Sequence, residues 1–205
     1  MRLLYVVASP RGMRSHSQAI ADAFIEAWRK YNSGSSVVAL NVFEADLPPF
    51  DGEAVEARYL VQSGKEANAT HQEAWGRVAA LAEDFKSFDR YVIASPMWNY
   101  NLPYRLKQYL DLIFQPRITF MTGEEERERA AAKKACFLLA RGGEYPAGCP
   151  SDFQRPYLEH VFGLMGLKPE RLRWIMVEPT GGPGEKVKAM HTAKIAEALT
   201  TAKDF

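Results

Sequence analysis

The stretch LLYVVASPRGMRSHS, residues 3–17, decides the fold of this chain. Residues 3–8 form a continuous apolar run, as expected for a strand that is covered on both faces. A helical pattern follows directly, because apolar residues recur at i, i+3 and i+4 spacing. Those residues are Ala19, Ile20, Ala23, Phe24, Ala27 and Trp28. A strand, a hydroxyl-rich loop and a helix in this order predict an α/β protein.

The loop in this stretch also predicts an anion site. The first N–H groups of a helix have no partner within the helix, and the helix dipole places about half a positive charge there. Ser15 and Ser17 can cap the helix and donate hydrogen bonds to a phosphate. The loop has neither the G-x-G-x-x-G fingerprint nor the Gly-Lys-Ser/Thr of a P-loop. It suits a phosphomonoester such as that of FMN, and an ordinary capped helix is the alternative.

Length, composition and charge restrict the class of protein. A chain of 205 residues with 47% hydrophobic residues is expected to form a single α/β domain over residues 1–205. The formal net charge is +1 and the basic residues are scattered, so no nucleic acid partner is expected. The only charge-dense stretch, residues 124–134, mixes both signs and is interpreted as a solvated helix or a connector.

Cysteine, histidine and hydropathy patterns give no sign of a metal site or a membrane segment. Cys136 and Cys149 lack metal or redox spacing, and Cys136 lies in an apolar strand pattern that predicts a buried, inert thiol. The histidines also lack metal spacing; they are His16, His71, His160 and His191. No apolar run approaches the ~20 residues of a membrane span, and the N-terminal stretch does not read as a signal peptide. A cytoplasmic location is therefore expected.

Strand and helix patterns alternate along the whole chain. The further strands are predicted at residues 37–42, 91–94, 135–140 and 172–177. The further helices are predicted at residues 54–60, 70–88, 103–113, 153–165 and 184–202. This alternation predicts a parallel sheet with helices on both faces. Right-handed crossovers favour the flavodoxin-like order 2-1-3-4-5, in which ligands bind beyond the carboxyl ends of strands 1 and 3.

The loop after the third strand has the composition of a site for a planar ring. It reads SPMWNYNLP, residues 95–103, and its prolines stiffen it. A flat heteroaromatic ring needs flat or polarisable partners and a few fixed polar groups at its edge. Met97, Trp98 and Tyr100 can supply the first, and Asn99 with backbone groups the second. The alternative is that the aromatic residues only cover the edge of the sheet.

The loop after the fourth strand offers paired glycines, Gly142 and Gly143. Such residues permit a positive φ or let the backbone approach a ligand closely. Their N–H groups could bond the pyrimidine edge of a flavin. A plain turn is the alternative, and the predicted position at the same edge of the sheet favours the ligand.

Together these loops resemble those of the FMN-dependent NADH-azoreductases, which are part of the NAD(P)H:quinone oxidoreductase group with a flavodoxin-like fold. Matching residues occur in order and with similar spacing over nearly the whole chain, and Met-Trp-Asn-Tyr is the most specific motif. They are Ser9-Pro10-Arg11, Ser15-His16-Ser17, Pro96 to Tyr100 with Pro103, Leu106-Lys107, Asp111, Ile118-Thr119-Phe120 and Arg141-Gly142-Gly143.

The resemblance implies a set of site residues. FMN phosphate would lie at the first loop, and the isoalloxazine ring at the other two. The implied cofactor-binding residues are Ser9, Arg11, Ser15, His16, Ser17, Pro96, Met97, Trp98, Asn99, Tyr100, Ala140, Arg141, Gly142 and Gly143. The family usually has a hydroxyl residue where this chain has Ala140, and a hairpin where this chain has residues 124–134. Phe120 and Phe162 are implied as a substrate wall, with core packing as the alternative.

The resemblance also implies a function. Electrons would pass from NADH or NADPH through FMN to an azo compound or a quinone by a ping-pong hydride mechanism, in a homodimer with its flavin sites at the interface. The flavin carries the chemistry, so no catalytic side chain and no metal is required. Two other readings remain: a flavodoxin-like electron carrier, which tends to be shorter and acidic, and a flavin-free interaction module.

Overall fold

A computed structural model describes all 205 residues and contains one five-stranded parallel sheet in the order β2-β1-β3-β4-β5. The predicted fold and strand order are therefore confirmed. The strands β1 to β5 are Arg2–Val7, Ser36–Asn41, Arg90–Pro96, Lys134–Ala140 and Leu172–Val177. The helices α1 to α7 are His16–Tyr31, Gly52–Gln62, Ala69–Lys86, Tyr104–Ile113, Glu124–Ala131, Gln154–Leu164 and Gly184–Lys203.

Helices cover both faces of the sheet, which explains the continuous apolar runs of the central strands. On one face, α1 and α7 pack over Tyr5, Val92 and Leu138. On the other face, α3, α4 and α6 pack over Ile93 and Phe137. Each central strand thus buries alternate residues in two separate cores. None of the helices combines the length and the apolar character that crossing a bilayer requires.

The structure corrects two local predictions, and it confirms that the charge-dense residues 124–134 contain a solvated helix. Strand β3 extends to Pro96, which pairs with Ala140, so this proline ends a strand and does not begin a loop. Pro103 is the N-cap of α4 and precedes its first turn. Residues 124–134 contain the short helix α5, whose first turn is acidic and therefore complements the helix dipole.

The parallel arrangement sets where the functional loops meet. Val7 pairs with Ala94 across β1 and β3, and Pro96 pairs with Ala140 across β3 and β4. The carboxyl ends of these strands therefore share one edge, here called the carboxyl edge. The loops after β1, β3, β4 and β5 all leave the sheet at this edge.

Candidate functional site

The loop after β1 presents the start of α1 at the carboxyl edge. Ser15 is the N-cap, and its Oγ accepts a hydrogen bond of 3.3 Å from the N–H of Gln18. Ser17 lies in the first turn with its Oγ 3.3 Å from that of Ser15. The backbone N–H groups of His16 and Ser17 donate to no group of the protein. Two hydroxyls and two free N–H donors thus stand together at the positive end of a helix dipole.

Ser9 and His16 complete this loop. Ser9 is 2% exposed, and its Oγ accepts a hydrogen bond of 3.4 Å from the N–H of Arg11. His16 begins α1, and its Nδ1 lies 2.6 Å from Nε2 of His191 on α7. Burial lowers the pKa of His16, and the charges of His191 and Arg11 lower it further. The chain therefore concentrates donors and positive charge here, which fits a phosphate group.

The loop after β3 folds back on itself as a tight two-residue turn. The N–H of Trp98 donates to the carbonyl of Asn101 at 2.9 Å, and the N–H of Asn101 donates back to Trp98 at 2.9 Å. Asn99 and Tyr100, the central residues, have φ values of 47° and 67°. These values define a type I′ turn, which asparagine tolerates well and tyrosine poorly. A strained aromatic residue held in a turn is a feature typical of a functional loop.

Aromatic side chains from two other elements support this turn. Phe43, which follows β2, lies 5.7 Å from the ring of Trp98 and 5.8 Å from that of Tyr104. Arg105 of α4 fixes the segment that carries Phe43 by donating to the carbonyl of Val42 at 2.8 Å. Trp98 remains 37% exposed, so its ring is held in place and still accessible. It can therefore contact a planar ligand.

The loop after β4 brings open backbone to the same edge. Gly142 and Gly143 both lack a positive φ, and a Cβ on Gly142 would meet no atom within 4 Å. The fold itself therefore does not require glycine at position 142. The space that a side chain would fill fits the close approach of a ligand such as a flavin ring. The carbonyl of Ala140 accepts a 2.7 Å hydrogen bond from the N–H of Met97, so main-chain atoms join the loops after β3 and β4.

The side chain of Arg141 is fully buried, so the contact with FMN that the resemblance implies for this residue stays a prediction for its backbone alone. Its Nη2 lies 3.0 Å from Asp152, its Nη1 lies 3.5 Å from Glu178, and its Nε donates to Gln154 at 3.1 Å. Gln154 in turn donates to the carbonyl of Pro96 at 2.9 Å. The carbonyl of Arg141 accepts two hydrogen bonds from Thr180. Arg141 therefore links the loops after β3, β4 and β5 from their buried side.

Glu178 contributes an unusual carboxylate to this network. Burial raises the pKa of Glu178, and the positive charge of Arg141 opposes that rise. Neither its Oε2 nor Nη1 of Arg141 has a good hydrogen-bond partner. Attraction at 3.5 Å is thus the main contact between these two charged groups.

The structure does not bring the predicted substrate wall to the carboxyl edge. Phe162 has no exposed surface and packs on Phe85, Tyr91 and Phe137 in the core, so it is a packing residue. Phe120 stacks on Phe114 at 4.0 Å, beyond the far end of α4. The sequence pattern of aromatic residues does not distinguish a substrate wall from core packing. For Phe162, the structure shows core packing.

A cavity of about 790 Å³ lies at the opposite end of the sheet. Its lining includes Met1, Arg90, Ile118 and Lys133, which stand near the amino ends of the strands. It therefore shares no residue with the carboxyl-edge loops. At the carboxyl edge, Glu144, Pro146 and Glu178 line a smaller and shallower cavity of about 340 Å³.

Sequence reasoning missed several residues of the site. Asp152, Gln154, Glu178 and Thr180 support the loops through Arg141. His191 reaches the first loop from 175 residues away. Phe43, Glu178 and Thr180 had a signal, because they follow predicted strands that end at the carboxyl edge.

Comparisons with known proteins agree with this architecture. Residues 1–201 match a family described as having a flavodoxin-like fold. An FMN-dependent NADH:quinone oxidoreductase of Nitratidesulfovibrio vulgaris is 44% identical over 209 residues, covering 99% of each chain. One from Desulfotalea psychrophila is 33% identical over 209 residues, covering 100% of this chain and 97% of that relative. The chain therefore belongs to the flavodoxin-like fold family.

A solved structure supports the fold independently of close sequence similarity. The FMN-dependent NADH-azoreductase from Bacillus anthracis, solved in complex with FMN, superposes with a TM-score of 0.86 at 21% identity. The match covers 100% of this chain and 99% of that one. Within its family, the chain thus resembles NADH:quinone oxidoreductases in sequence and an azoreductase in fold.

Proposed function

We propose that this protein is an FMN-dependent oxidoreductase that passes electrons from a nicotinamide donor to a quinone or an azo compound. The observation that carries the proposal is the meeting of three loops at the carboxyl edge. One is rich in donors, one is a supported aromatic turn, and one is open backbone. Relatives of 44% and 33% identity are FMN-dependent NADH:quinone oxidoreductases by name, which supports this activity and NADH as the donor.

Each loop has its own role in holding FMN. Ser15, Ser17 and the free N–H groups of the first turn would bind the phosphate, with Ser9 and Arg11 beside them. Met97, Trp98 and Tyr100 would flank the ring, and Asn99 would bond its polar edge. Gly142 and Gly143 would donate backbone N–H groups without a side chain in the way. When bound, FMN supplies two-electron chemistry, taking a hydride from the nicotinamide and reducing the acceptor.

The protein contributes position and access. The donor and the acceptor use the same open surface beside Trp98, so one must leave before the other binds. The Arg141 network keeps the three loops at fixed separation, which limits the ordering cost of binding. No side chain is needed as an acid or a nucleophile in this scheme.

We further propose that the protein acts as a homodimer and is cytoplasmic, and that residues 1–205 form one FMN-binding domain. Large aromatic residues remain exposed near the carboxyl edge, which supports a partner surface there; Tyr104 is 67% exposed and Phe153 57%. Nicotinamide donors are metabolites of the cell interior, which supports the location. A single sheet formed by all five strands supports the single domain.

The test is to identify the flavin and to follow its reduction. Flavin released by heat should run as FMN on chromatography. NADH added in the absence of oxygen should bleach the visible absorption of the protein at least as fast as the enzyme turns over. Turnover with a panel of quinones and azo compounds, with NADH and with NADPH, then assigns donor and acceptor. Release of FAD would contradict the cofactor assignment. Slow bleaching by both nicotinamides would favour an electron carrier, and a protein that takes up no flavin would favour an interaction module.

A further inference from the structure

A pair of histidines joins the first and last helices at the proposed phosphate loop. Nδ1 of His16 and Nε2 of His191 are 2.6 Å apart, and the two rings meet edge to face with centroids at 4.8 Å. Both rings are partly exposed. This contact ties α7 to the turn that carries Ser15 and Ser17. The family resemblance gave no role to His191.

The short distance limits how many protons the pair can hold. Only one of the two facing nitrogens can carry a hydrogen, because two N–H groups would repel each other. The pair is therefore neutral with one shared hydrogen, or singly charged when both outer nitrogens are also protonated. A second positive charge would break the contact. In the charged form, the shared hydrogen bond is charge-assisted and about twice as strong as a neutral one.

Burial and the neighbouring positive charges lower the pKa of His16 and so favour its neutral form. Arg11 lies near enough to His16 on the loop for its positive charge to lower the pKa of the ring. On α7, Lys188 and Lys194 stand one turn to either side of His191, and Lys194 is paired with Glu197 at 2.8 Å. The nearest acid on α1, Asp22, accepts a hydrogen bond from Tyr5. The unpaired cations next to the two histidines are thus Arg11 and Lys188, whereas Asp22 keeps its negative charge because tyrosine is neutral.

We propose that His191 is a positioning residue of the phosphate site, and that the His16–His191 pair takes up one proton from solvent when the phosphate dianion of FMN binds. The dianion places a negative charge beside His16. His191 stabilises the protonated form of His16 by accepting the shared proton. This inference rests on the proposed placement of the FMN phosphate at the start of α1.

Titration calorimetry of the flavin-stripped protein tests the proposal. FMN is added near pH 7.5, where its phosphate, with a second pKa of about 6, is already mostly a dianion. Repeating the titration in two buffers of different ionisation enthalpy gives the number of protons taken up. We expect uptake approaching one proton for the unmodified protein, and FMN affinity that weakens as the pH rises. Riboflavin, which has no phosphate, should bind with no uptake.

Three variants test whether His191 acts through its hydrogen bond to His16 or only through packing. His16→Gln and His191→Leu should each reduce proton uptake to well under half. His191→Gln keeps a hydrogen bond to Nδ1 of His16, because its amide can donate or accept, so it should lose less FMN affinity and less proton uptake than His191→Leu. His16→Gln serves if the leucine variant does not fold. Equal uptake in the unmodified protein, in His16→Gln and in His191→Leu, or none in any of them, would overturn the role of the pair.

One further variant tests the placement itself. Ser17→Asp puts a carboxylate at the same turn and should weaken FMN binding at least tenfold, since a charge-assisted hydrogen bond is lost and repulsion is added. Ser17→Ala should weaken it less. Unchanged FMN affinity in Ser17→Asp would refute the placement of the phosphate. If Ser17→Asp weakens FMN binding as expected, but the histidine variants take up as many protons as the unmodified protein, only the histidine proposal is refuted.

Discussion

Gly142 has a backbone conformation that any residue could adopt, and the space beside it is open. The glycine at position 142 is therefore explained by the approach of a ligand and not by a requirement of the fold. Trp98 is the opposite case, because its large ring is exposed at a place where it is also supported from behind by Phe43. Both residues thus point to a ligand at the carboxyl edge, and each leads to a measurable expectation.

Replacing Gly142 by alanine should separate stability from flavin binding. The free energy of unfolding of the flavin-free protein should stay the same or rise by about 0.4–1 kcal/mol, because alanine restricts the unfolded chain. FMN should bind roughly ten- to a hundredfold more weakly, since overpacking costs about 1–3 kcal/mol. Urea unfolding and a flavin titration measure the two effects. Gly76→Ala on α3, also in open space, is the control that should leave the FMN affinity unchanged.

Replacing Trp98 by alanine should alter the choice of acceptor more than flavin reduction. Bulky dyes or quinones bury more area against this ring than a nicotinamide does. Loss of an aromatic contact shifts binding by about 1–3 kcal/mol, enough to reorder kcat/KM values by roughly ten- to a hundredfold. Anaerobic bleaching by NADH should change less. Tyr31→Ala, an exposed aromatic residue at the far end of α1, is the control. If all acceptors slow equally, Trp98 only supports the loop.

At the scale of elements, one buried side chain determines how three loops stand relative to each other. Arg141 contacts Asp152 and Glu178 and reaches Pro96 through Gln154. Removing one partner of a buried ion pair leaves an uncompensated charge in the interior, which is far more costly than losing an exposed pair. The loops after β3, β4 and β5 are therefore expected to lose order together.

Arg141→Met should destabilise the protein by about 3–5 kcal/mol and weaken FMN binding, because Asp152 and Glu178 are then buried without a cation. Arg141→Lys should recover only part of the stability, since lysine cannot donate to several partners in one plane. Urea unfolding midpoints, compared at an unchanged m-value, measure the change in the free energy of unfolding. Lys30→Met, which breaks an exposed pair with Glu26, should cost less than about 1 kcal/mol. An equal cost in the arginine and Lys30 variants would contradict the role of the network.

The elements themselves were largely predictable, whereas the contacts between their ends were not. Apolar runs and helical periodicity depend on burial that repeats along the chain, so the five strands and their order follow from the sequence. The roles of Arg141 and His191 depend on partners far away in sequence, which no local pattern records. Phe162 shows the same limit, because an aromatic residue on a helix face packs inward or outward according to the tertiary fold alone.

At the scale of the whole molecule, the functional loops lie at the carboxyl edge and the cavity of about 790 Å³ lies at the other end of the sheet. An open cofactor surface bordered by exposed aromatic residues suits completion by a second chain. Tyr104 and Phe153 are more than half exposed, and Tyr100 is 54% exposed. Such residues are enriched in interface cores and depleted on free surfaces.

The protein should therefore sediment as a dimer, with twice the 23.1 kDa mass of one chain. Tyr104→Asp should shift the equilibrium toward the monomer, because an interfacial charge loses its hydration. Sedimentation over a range of concentrations gives the mass and the dissociation constant, and the variant is expected to dissociate at least tenfold more readily. Tyr31→Asp, at the far end of α1, should leave the mass unchanged. A monomer at all concentrations would contradict the dimer.

The turn from Trp98 to Asn101 has a consequence for how such proteins diverge. Its shape is held by two bonds between main-chain atoms and by two positive φ angles, so it does not depend on the side chain at position 98. That position is free to change over evolutionary time, while position 99 is restricted to residues that accept a left-handed backbone, such as asparagine and glycine. Descendants that adapt to new acceptors should therefore vary at the first position of the turn and keep the second.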